Sequence, residues 1–471
     1  LDPTIGWLLL AVFSVLWIAL GLWWGRRAKS LDGFMVAGRN VGLAMGAATA
    51  VATWITSNTT MLAPQFALEL GLWGMLAYST ASLGLLMFAP LARRIKRLMP
   101  EGYTSAEFIE LRYGRPAWAV FLTISLFYSM TWMVSMGMAG GLLIEALTGI
   151  EYVWGMTVIL VVCTLYTVAG GLYAVIGTDF IQSVIVLIGV TLVVIAVIDV
   201  SSVAEVHTAL SEHRPALLDV LFPAALLALF NNLLFGLGET FHSNVWWTRA
   251  FAMREGVGLR AFALAGFLWL PVPILAGFLG LAAPALDIPI SRPDMVAPIV
   301  AANLLGDVGA VLVFIVVFAS LASSIDSLLA ATSDLITKEV VARFFLRGAD
   351  ETTLRRVAGR VVLASGAMTW VLCVPKIGTL ATVLFFAGPL VASTIWPILA
   401  GLFWPRATGT GAVVAMLAGT TVGLFVYFTV GWYAASTASA LVSCLTTIVA
   451  SYTSTSDFQW SRLAGAREAT P

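Results

Sequence analysis

The chain has 471 residues, 60% of them hydrophobic and only 11% charged, with a formal net charge of zero. Soluble domains carry roughly 25% charged residues, and the mean hydropathy here is +0.96. A soluble multidomain enzyme, a disordered chain and a nucleic-acid binder are therefore excluded. A spanning helix takes ~20 apolar residues, so this length has room for more than ten crossings with short loops. Cys163, Cys373 and Cys444 stand singly in apolar stretches, which offers neither a disulfide framework nor a metal-ligand spacing.

Thirteen apolar segments are predicted in chain order, at 4–24, 42–64, 71–92, 118–147, 152–170, 178–200, 221–246, 260–283, 307–336, 357–374, 377–403, 409–429 and 431–452. The first is expected to be a span and not a cleavable leader, because Arg26, Arg27 and Lys29 follow it instead of preceding it. Alternate loops are basic. Of the 25 Lys and Arg, 22 fall on one side, from Arg26 through Arg249, Arg254 and Arg260 to Arg462 and Arg467; Arg214, Arg292 and Lys376 are the other three. The positive-inside rule then places the N-terminus outside and the C-terminus in the cytoplasm of a cell membrane, inner or plasma. These loop charges read as solvated anchors at the membrane face.

The second and seventh segments are poor lipid-facing helices. Segment 42–60 carries Thr49, Thr53, Thr56, Ser57, Asn58, Thr59 and Thr60, with Pro64 beyond. The seventh carries Asn231, Asn232, Gly236, Gly238, Glu239, Thr240, His242, Ser243 and Asn244. Unpaired polar groups in hydrocarbon cost several kcal/mol each, so both must face protein or water inside a bundle. Interrupted helices at matching places in two halves point to a transporter binding site. They lie five spans apart, which predicts two five-span repeats, 42–200 and 221–403, inverted because five is odd. Segments 4–24 and 409–452 are then peripheral, and 1–471 is one all-α transporter domain with broken second and seventh spans. The competing reading is that small residues there serve only helix packing.

Ionisable residues within the spans are few: Asp179, Glu239, His242 and Asp326. A charge at the bilayer centre costs ~2.5–3.5 kcal/mol on insertion scales, which makes each a functional candidate unless it lies near an interface. Asp179 and Glu239 are open to that bland reading. Asp326 is not, lying deep in an apolar run within Ser323-Ser324-Ile325-Asp326-Ser327. Four oxygen-bearing side chains in five positions suit a hard cation, which takes oxygen ligands.

Four stretches resemble the sodium/solute symporters, whose fold is the five-plus-five inverted repeat of the bacterial leucine transporter. They are Phe34-Met35-Val36-Ala37-Gly38-Arg39, the run 104–114 beginning Thr104-Ser105-Ala106-Glu107-Phe108, the run 166–182 containing Gly170-Gly171-Leu172 and Thr178-Asp179, and Ser323-Ser324. The resemblance implies a main sodium site from backbone carbonyls of Ala52, Ile55 and Ser320 and hydroxyls of Ser323 and Ser324. It implies, in some members, a second cation or proton site at positions matching Asp179, Asp326 and Ser327, where Asp326 departs from the common serine. Solute would sit between the broken spans near Trp54, Asn58, Thr59, Tyr78, Ser243, Asn244, Trp246 and Trp247. For Trp246 and Trp247 an interfacial aromatic belt beside Arg249 is the alternative.

Within the family, 238–249, 266–273 and 280–283 look most like the fungal and plant urea transporters, although those usually carry Asp-Gln where this chain has Ser243-Asn244. Sodium-coupled import of a small polar solute is therefore expected, urea first, with another neutral or cationic amine, amide or amino acid as the alternative. No cofactor is expected beyond sodium as the coupling ion. The expected partners are solute, sodium and the lipid bilayer, with neither nucleic acid nor an obligate protein partner. An intramembrane aspartyl protease would need Tyr-Asp and Gly-x-Gly-Asp elements that are missing, and the three His include no His-Glu-x-x-His. A passive channel is separated by function: it cannot concentrate solute against a gradient in a sodium-dependent way.

Overall fold

A computed structural model describes residues 1–454 and 457–463; Arg467 lies outside them. The described residues are helical with one isolated bridge, Val41 to Met253, and no strand. Among them, eleven helical runs are long and apolar enough to cross a membrane. The architecture is thus all-α and multi-spanning.

Eleven runs against thirteen predicted segments reflects two places where successive helices meet end to end at a glycine of non-helical backbone and the chain reverses. Helix Tyr152–Val200 contains Gly171 at φ 51 and ψ −143. Tyr166 and Thr178 both approach Oδ2 of Asp326, at 2.8 and 3.5 Å. Twelve residues of straight helix would hold them about 18 Å apart, so the chain doubles back at Gly171. A side chain is disfavoured at this backbone conformation, and a Cβ would lie 2.4 Å from the Phe34 carbonyl oxygen. Helix Ser57–Ser79 does the same at Gly71, φ 68 and ψ −148: the rings of Phe66 and Tyr78 meet at 5.6 Å. The twelve-residue helix Leu43–Trp54, too short to cross alone, feeds into Ser57–Ser79 through a break at Ile55.

The centre of the bundle is helix Val296–Leu335, which packs on Tyr152–Val200 and Arg115–Thr148. The run Pro293–Phe345 is 78% buried over its apolar window, against 22% for Pro3–Gly25 and 33% for Gly409–Thr429. A helix that is apolar all round yet exposed suits a lipid surface; Leu8, Val15, Phe425 and Phe428 all point outward there.

Three readings of the seventh segment change. Arg249 is not a solvated loop charge: its side chain is fully buried. Trp246 and Trp247 form no interfacial belt, for both are buried as well. The reason is where the chain leaves the bundle. Helix Asn244–Ala252 continues inside the protein, where the Val41 amide donates to the Ala252 carbonyl and the Val41 carbonyl accepts from the Arg254 amide, so the exposed loop begins only at Arg254. Arg112, also counted among the loop charges, is buried and donates to the carbonyls of Gly401 and Trp404 at 3.1 and 2.9 Å.

Candidate ion and solute site

The first broken helix ends because Thr56 starts a new one. Thr56 Oγ1 accepts the Thr59 amide at 3.1 Å, and Thr59 Oγ1 in turn accepts the Thr56 amide at 3.2 Å. Such reciprocal capping fixes a helix start. It leaves Ile55 at φ −82 and ψ 81, and frees carbonyls in the last turn of Leu43–Trp54. Helix Val296–Leu335 passes beside them. Ser323 Oγ donates to the Ala52 carbonyl at 2.8 Å and Ser324 Oγ to the Thr53 carbonyl at 3.4 Å. Both hydroxyls also bond the Ser320 carbonyl, at 3.1 and 2.9 Å. The result is a buried knot of carbonyl and hydroxyl oxygens, the donor set a hard cation takes. Ile55 is buried at the break itself.

A second polar cluster lies beside it, built around Arg249. The guanidinium Nη2 donates to Thr53 Oγ1 at 2.6 Å, Ser327 Oγ at 2.7 Å and Asp179 Oδ2 at 3.2 Å. Its Nε donates to Thr49 Oγ1 at 3.0 Å and its Nη1 to the Val245 carbonyl at 3.1 Å. The Thr49 hydroxyl donates to Asp179 Oδ2 at 2.5 Å. Asp326 is held separately, by Tyr166 and Thr178.

The third feature is a narrow cavity of about 20 Å³ lined by Trp54, Thr56, Thr59, Tyr78, Trp132, Phe235, Glu239 and Trp269 among others. Its aromatic walls are locked. Trp54 Nε1 donates to the Ala81 carbonyl at 3.3 Å, and Trp269 Nε1 to the Trp54 carbonyl at 2.7 Å. The indole of Trp54 meets that of Trp246 edge-on at 5.1 Å. Glu239 supplies the acidic group. Its Oε1 accepts from Tyr128 at 2.8 Å, and its buried Oε2 has no hydrogen-bond partner among the described residues. An unmatched buried carboxyl oxygen on a residue that lines a cavity is a polar group open to a partner from a solute.

A profile of the sodium:solute symporter family matches residues 34–419. The chain belongs to the sodium:solute symporter family. That family carries solutes across membranes and does not convert them. The urea-proton symporter DUR3 of Oryza sativa subsp. japonica is 28% identical over 390 residues, covering 75% of this chain and 53% of DUR3. The osmoregulated proline transporter OpuE of Bacillus subtilis (strain 168) is 27% identical over 239 residues, covering 49% of this chain and 48% of OpuE. The chain thus spans about half the length of DUR3. A substrate-bound, outward-open sodium-coupled sialic acid symporter superposes with a TM-score of 0.81 over 97% of this chain and 99% of that one, at 17% identity. At that identity the likeness is one of fold.

For this member of the family, the structure sorts the residues expected at the site. Ala52, Ser320, Ser323 and Ser324 come together. Asp179 and Ser327 meet through Arg249, and Asp326 stands nearby across Tyr166. Trp54, Thr59 and Tyr78 line the cavity. Asn58 does not: its amide donates to Ser135 Oγ at 3.2 Å. The Asn244 side chain is committed elsewhere, accepting from the Ser105 amide at 2.9 Å and donating to the Ala331 carbonyl at 3.1 Å. Ser243 caps helix Asn244–Ala252. Trp246 buttresses Trp54, and Trp247 donates to the Phe241 carbonyl at 2.7 Å and stacks on Phe108. Reasoning from sequence missed Thr49, Trp132, Phe235, Trp269 and, above all, Arg249. The signal for Arg249 was its seven-residue distance from His242, too near a polar span to be assigned to solvent by rule.

Proposed function

We propose that the protein is a sodium-coupled importer of a small polar solute rich in N–H donors, with urea the first candidate. The observation that carries it is the oxygen knot where the open end of Leu43–Trp54 meets Ser320, Ser323 and Ser324. An ion bound there would tie a broken helix to the central helix, and solute binds beside the same break. Ion and solute would then stabilise one arrangement together, which is reciprocal coupling.

The solute reading rests on the cavity. Tyr78, Thr59 and the free Oε2 of Glu239 present polar atoms within walls of Trp54, Trp132 and Trp269. Urea offers four N–H donors and one acceptor in a compact, flat shape, and the slot, which now has room for about one water, would widen to admit it. The names of DUR3 and OpuE are shared support for a small nitrogenous solute, not for urea alone. A second reading has its own motive: a carboxylate inside an aromatic box also suits a small organic cation.

We read thirteen crossings, with repeats at 42–200 and 221–403, since splitting the long runs at Gly71 and Gly171 restores the predicted segments. The N-terminus then lies outside and the membrane is the cell's own. The test is uptake into proteoliposomes of labelled urea, proline, choline and a short amine, with an inward sodium gradient or with potassium replacing sodium. Sodium-driven accumulation of urea above equilibrium is expected. Equilibration without accumulation, for every solute, would sink the coupled reading in favour of a channel.

A further inference from the structure

We infer that the basic face of the protein carries a site for the headgroup of an anionic phospholipid. It is a groove between the end of helix Pro3–Gly25, the foot of helix Leu43–Trp54 and the chain just past Gly171. The groove holds about 480 Å³, and Trp24, Arg27, Asn40, Gly42, Tyr173 and Ile176 are part of its lining. It shares no residue with the oxygen knot or the solute cavity, so its occupancy is independent of which solute is carried.

Four side chains bring donors to this groove, and the protein uses none of them. The Trp24 Nε1 is buried without a hydrogen-bond partner among the described residues. The Arg27 guanidinium stacks on Trp24 and Trp23, at 5.0 and 5.7 Å from the ring centroids. It forms no ion pair among the described residues, and stacking leaves its in-plane N–H groups free for an anion's oxygens. The Asn40 amide and the Tyr173 hydroxyl likewise have no hydrogen bond among the described residues. The backbone adds to the same polarity. Gly42 begins helix Leu43–Trp54 without a side-chain cap, so the first amides of a twelve-residue helix start at the groove with no capping acceptor, and such an end attracts anions. Arg254 stands at the same glycine, for a Cβ on Gly42 would lie 2.5 Å from its Nη2. The lining includes no Asp or Glu. The groove is thus a cluster of donors and positive charge with no internal counter-ion.

What makes the anion a lipid is the surface that runs on from it. Past Tyr173 and Ile176 the same helix continues outward through Phe180, Val184 and Ile188, one turn apart and 41, 47 and 55% exposed. Trp23 and Leu43 are exposed on the other two elements. From Ile176 to Ile188 the helix rises about 18 Å, enough to track acyl chains through one leaflet, whose hydrocarbon is about 15 Å deep. A soluble phosphate would gain nothing from this track. The loops here are the basic ones, read above as cytoplasmic, and the cytoplasmic leaflet is the one that holds anionic lipid.

Native mass spectrometry of the purified full chain in non-ionic detergent, titrated with dioleoylphosphatidylglycerol or dioleoylphosphatidylcholine, tests the site. The first phosphatidylglycerol should bind about ten-fold more tightly than the first phosphatidylcholine, the worth of one charge-assisted contact. Arg27→Gln should weaken phosphatidylglycerol about five-fold and leave phosphatidylcholine unchanged. Arg97→Gln, exposed on the same basic face but outside the groove, should change neither. Excess inorganic phosphate should not displace the lipid. Equal affinity for the two lipids would overturn the inference, as would unchanged binding in Arg27→Gln. An equal loss in Arg97→Gln would replace the site with diffuse attraction to the whole basic face. Displacement by phosphate would overturn the lipid in favour of a free anion. If Arg27→Gln does not fold, the comparison of the two lipids and the phosphate competition still decide on the wild type. None of these outcomes touches sodium-driven uptake, which the proteoliposome experiment settles separately.

Discussion

At Ser323 and Ser324 each hydroxyl is shared between a carbonyl of its own helix and one from the broken helix, an arrangement that an incoming ion would reorient. Hydrogen-bond-strength contacts to a charged group are worth about 1.5–3 kcal/mol. Ser323→Ala and Ser324→Ala should therefore each raise the sodium concentration for half-maximal uptake by roughly ten- to a hundred-fold. Maximal uptake at saturating sodium should fall less. Unchanged sodium dependence in both would move the ion elsewhere. Glu239 carries the solute prediction. Glu239→Gln keeps the Tyr128 contact possible but replaces the unmatched carboxyl oxygen with an amide, so half-saturation for solute should rise by up to about ten-fold, the upper end of what one hydrogen bond contributes. Sodium stoichiometry should stay the same. An equal affinity for solute in wild type and Glu239→Gln would place the solute outside the cavity. Asn58 and Asn244 teach the complementary lesson. Both are buried amides at the expected depth, yet one pairs with Ser135 and the other pins Ser105 to Ala331. Buried amides must find partners, but nothing in residue type says whether the partner is a solute or the fold.

The two helix breaks were legible as polar interruptions, because Thr, Ser and Asn compete for backbone bonds and favour caps over helix interiors. The reversals at Gly71 and Gly171 fall at the gaps predicted between 42–64 and 71–92 and between 152–170 and 178–200; what the structure adds is the left-handed backbone at each glycine. Gly171→Ala should lower the thermal midpoint and the yield of folded protein. The left-handed conformation alone costs roughly 1–2 kcal/mol, and the Phe34 carbonyl must also move. Gly306→Ala is the comparison: it shares the backbone conformation, φ 59 and ψ −144, but a Cβ there meets nothing within 4 Å. It should therefore be the milder of the two. Equal losses would show that crowding at Phe34 plays no part.

At the scale of the whole molecule, taking the buried Arg112 and Arg249 out of the loop set still leaves 20 basic residues against three. A cysteine at Arg347, in the exposed turn after Ile336–Phe345, should resist impermeant thiol reagents applied to intact cells. A cysteine at Ser211, exposed on helix Val203–His213, should react. The background needs Cys444 replaced, because Cys163 and Cys373 are buried and it is not fully so. The reverse pattern of labelling would invert the topology.

Hydropathy by itself determined the membrane class and the position of both broken spans. These follow from one solvent rule, that hydrocarbon rejects unpaired polar groups, and that rule acts locally on each segment. The oxygen-rich Ser323–Ser327 stretch was visible for the same reason. What only the tertiary structure decided was which polar groups meet. Arg249, Asp179, Thr53 and Ser327 are separated by as many as 274 residues, and a charge near a span end reads identically whether its helix stops at the interface or runs on into the core. The electrostatics of a buried group depend on neighbours brought from other helices, so the identity of Arg249 as an internal cation became legible only once those helices were packed.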